Sequence, residues 1–114
     1  MSAGAAAWLR EREPAPPPEL LERMTAALET PESAGDAAVD EALEEALAAA
    51  ALRELKAALA LGNARAAATP LLSADALLTC AFQAAAERGG TEAVRRLAEA
   101  YGLERFQGLL EDPA

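Results

Sequence analysis

The chain has no histidine and no isoleucine, one cysteine, and only two valines, Val39 and Val94. Each gap excludes something. Without histidine the commonest general base and the commonest transition-metal ligand are missing. One thiol, Cys80, can neither close an internal disulfide nor complete an ordinary zinc site. Strands favour β-branched and aromatic side chains, and here aromatics are 4% of the residues. No glycine-rich loop leads into a Lys-Ser/Thr pair, so a phosphate-cradling P-loop is absent. Apolar runs are short as well. The longest, 46 to 52, is mostly alanine and falls far below the roughly twenty residues of a membrane span.

What is abundant is alanine, more than a quarter of the chain, followed by leucine. Both are strong helix formers, so the fold class is all-α. The sequence predicts a small bundle of about five to six helices, with a proline-rich spacer after a short N-terminal helix. A length of 114 residues holds one domain. Ten basic residues are scattered among nineteen acidic ones, giving a formal charge of −9. Phosphate binding needs clustered Lys and Arg, so nucleic acid and anionic membrane surfaces are both disfavoured. The N-terminus, Met-Ser-Ala-Gly-Ala-Ala-Ala-Trp, has neither the basic start nor the long apolar stretch of a signal peptide. With a lone cysteine, this leads to the expectation of a cytoplasmic protein.

Punctuation along the chain divides it into residues 1–13 (short helix), 14–18 (spacer) and 19–112 (one helical domain). A first helix is expected over Ala5–Arg12, ended by Glu13-Pro14. Pro-Ala-Pro-Pro-Pro at 14–18 reads as a stiff polyproline II spacer, and Pro18 as the first residue of a helix to about Glu29. Asp36 is placed to cap a long helix reaching Leu61. In that helix the apolar face rotates: Leu52, Leu55 and Leu59 lie nearly opposite Val39. Either a kink near Ala48–Ala51 or burial of its two halves against different neighbours would explain this. Gly62-Asn63 ends it. Thr69 and Pro70 are expected to cap and open the next helix, with an apolar face of Leu71, Ala74, Leu78, Ala81, Phe82 and Ala85, flanked by Leu77. Gly89-Gly90 is expected to end that helix. Thr91 then caps another with the stripe Val94, Leu97, Ala98 and Tyr101, and Leu103, Phe106 and Leu110 mark a short last one.

So many alanines bury little area per residue. A monomer of this composition is marginal against chain entropy, which favours self-association or a partner subunit. Candidates for chemistry are few. Glu41, Glu44 and Glu45 form the densest acidic cluster and read as a solvated helix face. Asp75 reads as an acid near a helix N-terminus, or as a polar contact at the edge of an interface. Cys80 has no neighbouring base and points away from the apolar stripe. Trp8 reads as a core or interface anchor. No catalytic residue, metal ligand or cofactor site is expected.

Residues 69 to 101 carry a family resemblance. Leu72-Ser73-Ala74-Asp75-Ala76-Leu77, then Phe82, Gly89 and Leu97-Ala98-Glu99-Ala100, resemble a helix pair of trans-prenyl diphosphate synthases. Catalytic members hold magnesium with two aspartate-rich motifs, and this chain has neither. It is also too short for the complete helical bundle of such an enzyme. The branch it resembles is the small non-catalytic subunit of heteromeric heptaprenyl and hexaprenyl diphosphate synthases. That resemblance implies an accessory subunit that binds a catalytic prenyl synthase subunit and helps set isoprenoid chain length. It implies an interface of Leu71, Leu78, Phe82 and Ala85 edged by Asp75. The rotated leucines Leu52, Leu55 and Leu59 are added as interface candidates from their own pattern. The alternative is a stand-alone, homo-oligomeric helical interaction module.

Overall fold

The computed structural model describes residues 3–29, 43–102 and 107–108. Among them are four α-helices, one 3₁₀ turn and no strand: α1 (Ala3–Arg10), α2 (Pro18–Leu28), α3 (Leu43–Leu61), the turn Arg65–Ala67, and α4 (Ala68–Ala100). The all-α class holds. Four α-helices stand where about five to six were expected, but α4 is itself two helices joined across a kink at Gly90. Asp36, Val39, Glu41 and most of the segment read as a last helix lie outside the described residues.

Proline and glycine set the boundaries, as their backbone limits require. Pro18 opens α2 at its first position, where its missing N–H costs nothing and its fixed φ suits the helix. Gly62 ends α3 with φ +63°, and its N–H bonds the Leu59 carbonyl at 3.1 Å. A residue with a Cβ adopts that conformation at a cost. The next start differs from the expected one. Thr69 does not cap α4; the chain enters it two residues earlier, at Ala68, through the 3₁₀ turn and with no side-chain cap. Pro70 is then in the first turn, where proline is tolerated. The expected break at Gly89-Gly90 is present: Gly90 holds φ +68° and ψ −155°, non-helical values that divide α4 into two helices across a kink.

Helices α3 and α4 form an antiparallel hairpin, the most extensive contact in the molecule. Its seam is built largely from small residues. On α3 the buried positions Leu47, Ala51, Glu54 and Ala58 step by four, three and four. On α4, Pro70, Ala74, Leu77, Ala81 and Ala84 do the same. Alternating steps of four and three keep one seam facing its partner along the hairpin. Alanine on both sides permits close approach with little side-chain entropy to lose.

The structure corrects two readings. The α4 core face centres on Leu77, which has no exposure, and not on Leu71 and Leu78; Leu71 is 52% exposed. Along α3 no residue departs from helical geometry, so the rotation of its leucines reflects different surroundings and not a kink. Alanines, not leucines, face the seam in its second half.

Large side chains enter the core from the other layer. Leu9 of α1 and Met24 and Leu28 of α2 are fully buried, with Leu47 and Leu77 of the hairpin. Each such side chain contributes about 1.5–3 kcal/mol relative to exposure. The spacer does not hold α1 away: Leu9 lies in the common core cluster, and Arg12, just beyond α1, forms a bidentate pair with Glu87 of α4 at 3.0 and 2.7 Å. The radius of gyration is 13.6 Å, close to the ~13 Å of a compact domain this size.

Candidate functional site

The α1–α2 layer is tied to the hairpin by arginines. Arg23 of α2 grips Glu54 through two hydrogen bonds, Nε–Oε2 at 2.6 Å and Nη2–Oε1 at 2.9 Å. Arg53 Nη2 donates to the Ala27 carbonyl at 2.8 Å, satisfying an acceptor in the last turn of α2. At the other end, Arg12 stacks on the Trp8 ring, 4.1 Å from its centroid, and reaches Glu87. The ion pair holds the Glu87 carboxyl below its ordinary range, the hydrogen bond from Arg12 being the main cause.

The opposite side carries leucines. An α-helix turns about 100° per residue, so on α3 Leu52, Leu55 and Leu59 lie on one flank of the seam. By the same rotation Leu71, Leu78 and Phe82 lie on one flank of α4. Because the helices run antiparallel, the two flanks face the same side, away from Arg23, Arg53 and Arg12. Six of the eight interface candidates therefore share one face of the hairpin. Leu59 and Leu71 are 36% and 52% exposed, and Leu61 and Leu72 near the turn are 44% and 56% exposed. Leu52, Leu55, Leu78 and Phe82 are half-buried.

The remaining two candidates behave differently. Ala85 is fully buried in the seam and cannot touch a partner. Its methyl belongs to the monomer core, because position 85 falls on the seam side of α4. Asp75 is exposed on the outward edge of the leucine face, one turn beyond Leu71. Trp8 is half-buried against the core, and its exposed side lines an open cleft with Glu11, Leu43 and Arg88. Cys80 does not point clear of the core: it is half-buried against it, on the flank facing Arg12. Burial pushes its thiol up from the ordinary range, with the nearby Arg12 charge opposing in part.

What sequence reasoning missed is how charge is distributed. The segment 52–79, the turn-proximal half of the hairpin, holds five charged residues: Arg53, Glu54, Lys56, Arg65 and Asp75. Their charges sum to +1, leaving −10 for the rest of a chain whose total is −9. Arg53 and Glu54 are turned toward α2. The leucine face is thus almost free of charge in a strongly acidic protein, and charge depletion is a mark of an interface core. A charge count per segment would have found it.

Among the described residues, no group of three His, Cys, Asp or Glu side chains is placed to hold a metal ion. No helix among them is long and apolar enough to cross a membrane. The fold defines a class, an all-α protein built on an alanine-seamed hairpin with a two-helix cover. Beyond that class, the chain matches no family model, no curated protein and no solved structure.

Proposed function

We propose that this chain is a non-catalytic helical protein that works by binding another protein through the leucine face of its α3–α4 hairpin. One observation carries the reading: Leu59 and Leu71 stand exposed on that face, in a charge-poor half of an otherwise acidic chain. Contiguous exposed apolar side chains cost solvation and mark contact surfaces. The binding chemistry is helix packing, leucine against leucine, with Asp75 at the rim. Leu71→Asp tests it. Because Leu71 is half in solvent, the variant folds with unchanged circular dichroism and loses its partner in light scattering or cross-linking. Retained assembly would refute the reading.

A second reading names the partner as a catalytic trans-prenyl diphosphate synthase subunit whose isoprenoid product length this chain helps to set. The stretch that resembles the accessory subunits, residues 72–77, supports it by exposing Asp75, with the exposed Leu71 just before it. Mixing the chain with the catalytic prenyl synthase of its own genome and measuring mass by light scattering tests this reading. A stable hetero-oligomer, with product length changed by Phe82→Ala, is the expected result, and indifference of the two proteins refutes it.

A further inference from the structure

We infer that the turn end of the α3–α4 hairpin docks an acidic amphipathic helix of a partner protein, apolar along its inner stripe and lined by carboxylates at its edges. The inference rests on the partner-binding reading above and gives that partner its chemistry. Two observations meet at this end of the molecule. The exposed large apolar side chains among the described residues are Leu59, Leu61, Leu71 and Leu72. The first two close α3, and the last two stand within the first five residues of α4. All four therefore gather where the chain turns from one helix into the other. Charge changes sign at the same end. From Leu55 to Ala74 the chain has no Asp or Glu, its longest run without an acid, and two cations, Lys56 and Arg65. These sum to +2, leaving −11 for the rest of a chain whose total is −9. Both are exposed, and neither joins an ion pair among the described residues. The acid just before the run, Glu54, is buried and held by Arg23, so it does not neutralise them. Asp75, just after it, is exposed and lowers the local sum to +1.

These features choose the occupant. Carboxylates are drawn to Lys56 and Arg65 and repelled by the acidic remainder, which orients an acidic partner onto this end. A helix fits because it satisfies its own backbone hydrogen bonds. An extended segment needs a strand edge to pair with, and the described residues offer none. Two copies meeting face to face here would bring net-positive ends together. An anionic membrane surface is recognised by clusters of about four to eight Lys and Arg, more than this end supplies.

Fluorescence anisotropy with the full chain and labelled helical peptides tests the inference. Each peptide has about 18 residues, beyond the length at which isolated helices are marginal, and a leucine stripe at helical spacing. One is flanked by glutamate and the other by glutamine. The glutamate peptide binds with a Kd of about 10–100 µM, and the glutamine peptide about tenfold more weakly. Raising salt from about 50 to 300 mM weakens binding of the glutamate peptide, because salt screens its attraction to Lys56 and Arg65. A peptide held by leucines alone would bind more tightly as salt screens its repulsion from a chain of net charge −9. The double variant Lys56→Gln/Arg65→Gln loses the preference for glutamate, and Leu71→Asp loses both peptides, each with an unchanged circular dichroism spectrum. Equal binding of the two peptides, or affinity that rises with salt, overturns the acidic partner while the partner-binding reading stands. Failure of both peptides to bind also overturns it, as does binding of phosphatidylserine vesicles in their place. A wild-type dimer in light scattering that Leu71→Asp dissolves would give the face to a second copy instead. If Leu71→Asp binds both peptides as the wild type does, the inference and the partner-binding reading fall together.

Discussion

The pair Arg23–Glu54 is the sharpest test of how the two layers are joined. Glu54 occupies a seam position of α3 that an apolar residue would ordinarily hold, with its side chain 8% exposed, and Arg23 is 39% exposed. Replacing Arg23 with methionine keeps the stem packing but leaves a carboxylate nearly buried without its cation. Breaking a fully buried pair costs about 3–5 kcal/mol. Arg23 sits partly in solvent, so water can reach the vacated position and the cost falls to about 2 kcal/mol. That is a large share of the roughly 5–15 kcal/mol that holds a domain together. It corresponds to a drop in melting temperature of roughly 8 °C for a chain this long. The double variant Arg23→Met/Glu54→Met removes both charges and recovers to within about 1 kcal/mol of wild type. Urea unfolding of the four proteins in a double-mutant cycle measures the coupling directly. If Arg23→Met costs less than about 0.5 kcal/mol, or the double variant is as unstable as the single, the carboxylate is not held by this pair.

Gly90→Ala forces a Cβ into φ +68°, ψ −155°, a region open in practice only to glycine, and is expected to cost about 1–3 kcal/mol in urea melts. An unchanged melt would mean that the kink is absent. Ser73 Oγ is fully buried in the seam without a hydrogen-bond partner, so Ser73→Ala is expected to stabilise by about 1 kcal/mol; destabilisation would reveal a hydroxyl contact. The Cys80 thiol is raised chiefly by burial. A native-state value above the unfolded one adds stability that is complete below the unfolded thiol's range and is lost as pH rises through the native value. Comparing urea midpoints of wild type and Cys80→Ala from about pH 8 upward should show the wild type losing ground with rising pH, and parallel curves would contradict this. Alkylation of Cys80 at about pH 8 should likewise be slower in the native protein than in urea.

Much of this protein is determined by its sequence alone. Alanine and leucine without isoleucine, and with little valine or aromatic content, make the chain helical whatever its neighbours do, because these propensities act within one turn. Pro18 and Gly62 mark helix boundaries for the same local reason: their backbone limits hold in any context. Rotation of Leu52, Leu55 and Leu59 away from a single stripe was also legible, since it follows from the helical period. Tertiary structure decided which side of each helix faces inward. Leu77 and Leu78 are adjacent leucines with similar periodic support, and only the alanine seam of α3 selects Leu77 for the core. Ala85 went the same way, from expected interface to buried seam. Thr69 lost its expected capping role to a 3₁₀ entry, whereas the break at Gly89-Gly90 fell where the sequence placed it. The pairing of Arg23 with Glu54 and of Arg12 with Glu87 spans 31 and 75 residues of chain. No local pattern encodes such contacts; they exist because the fold brings their helices together.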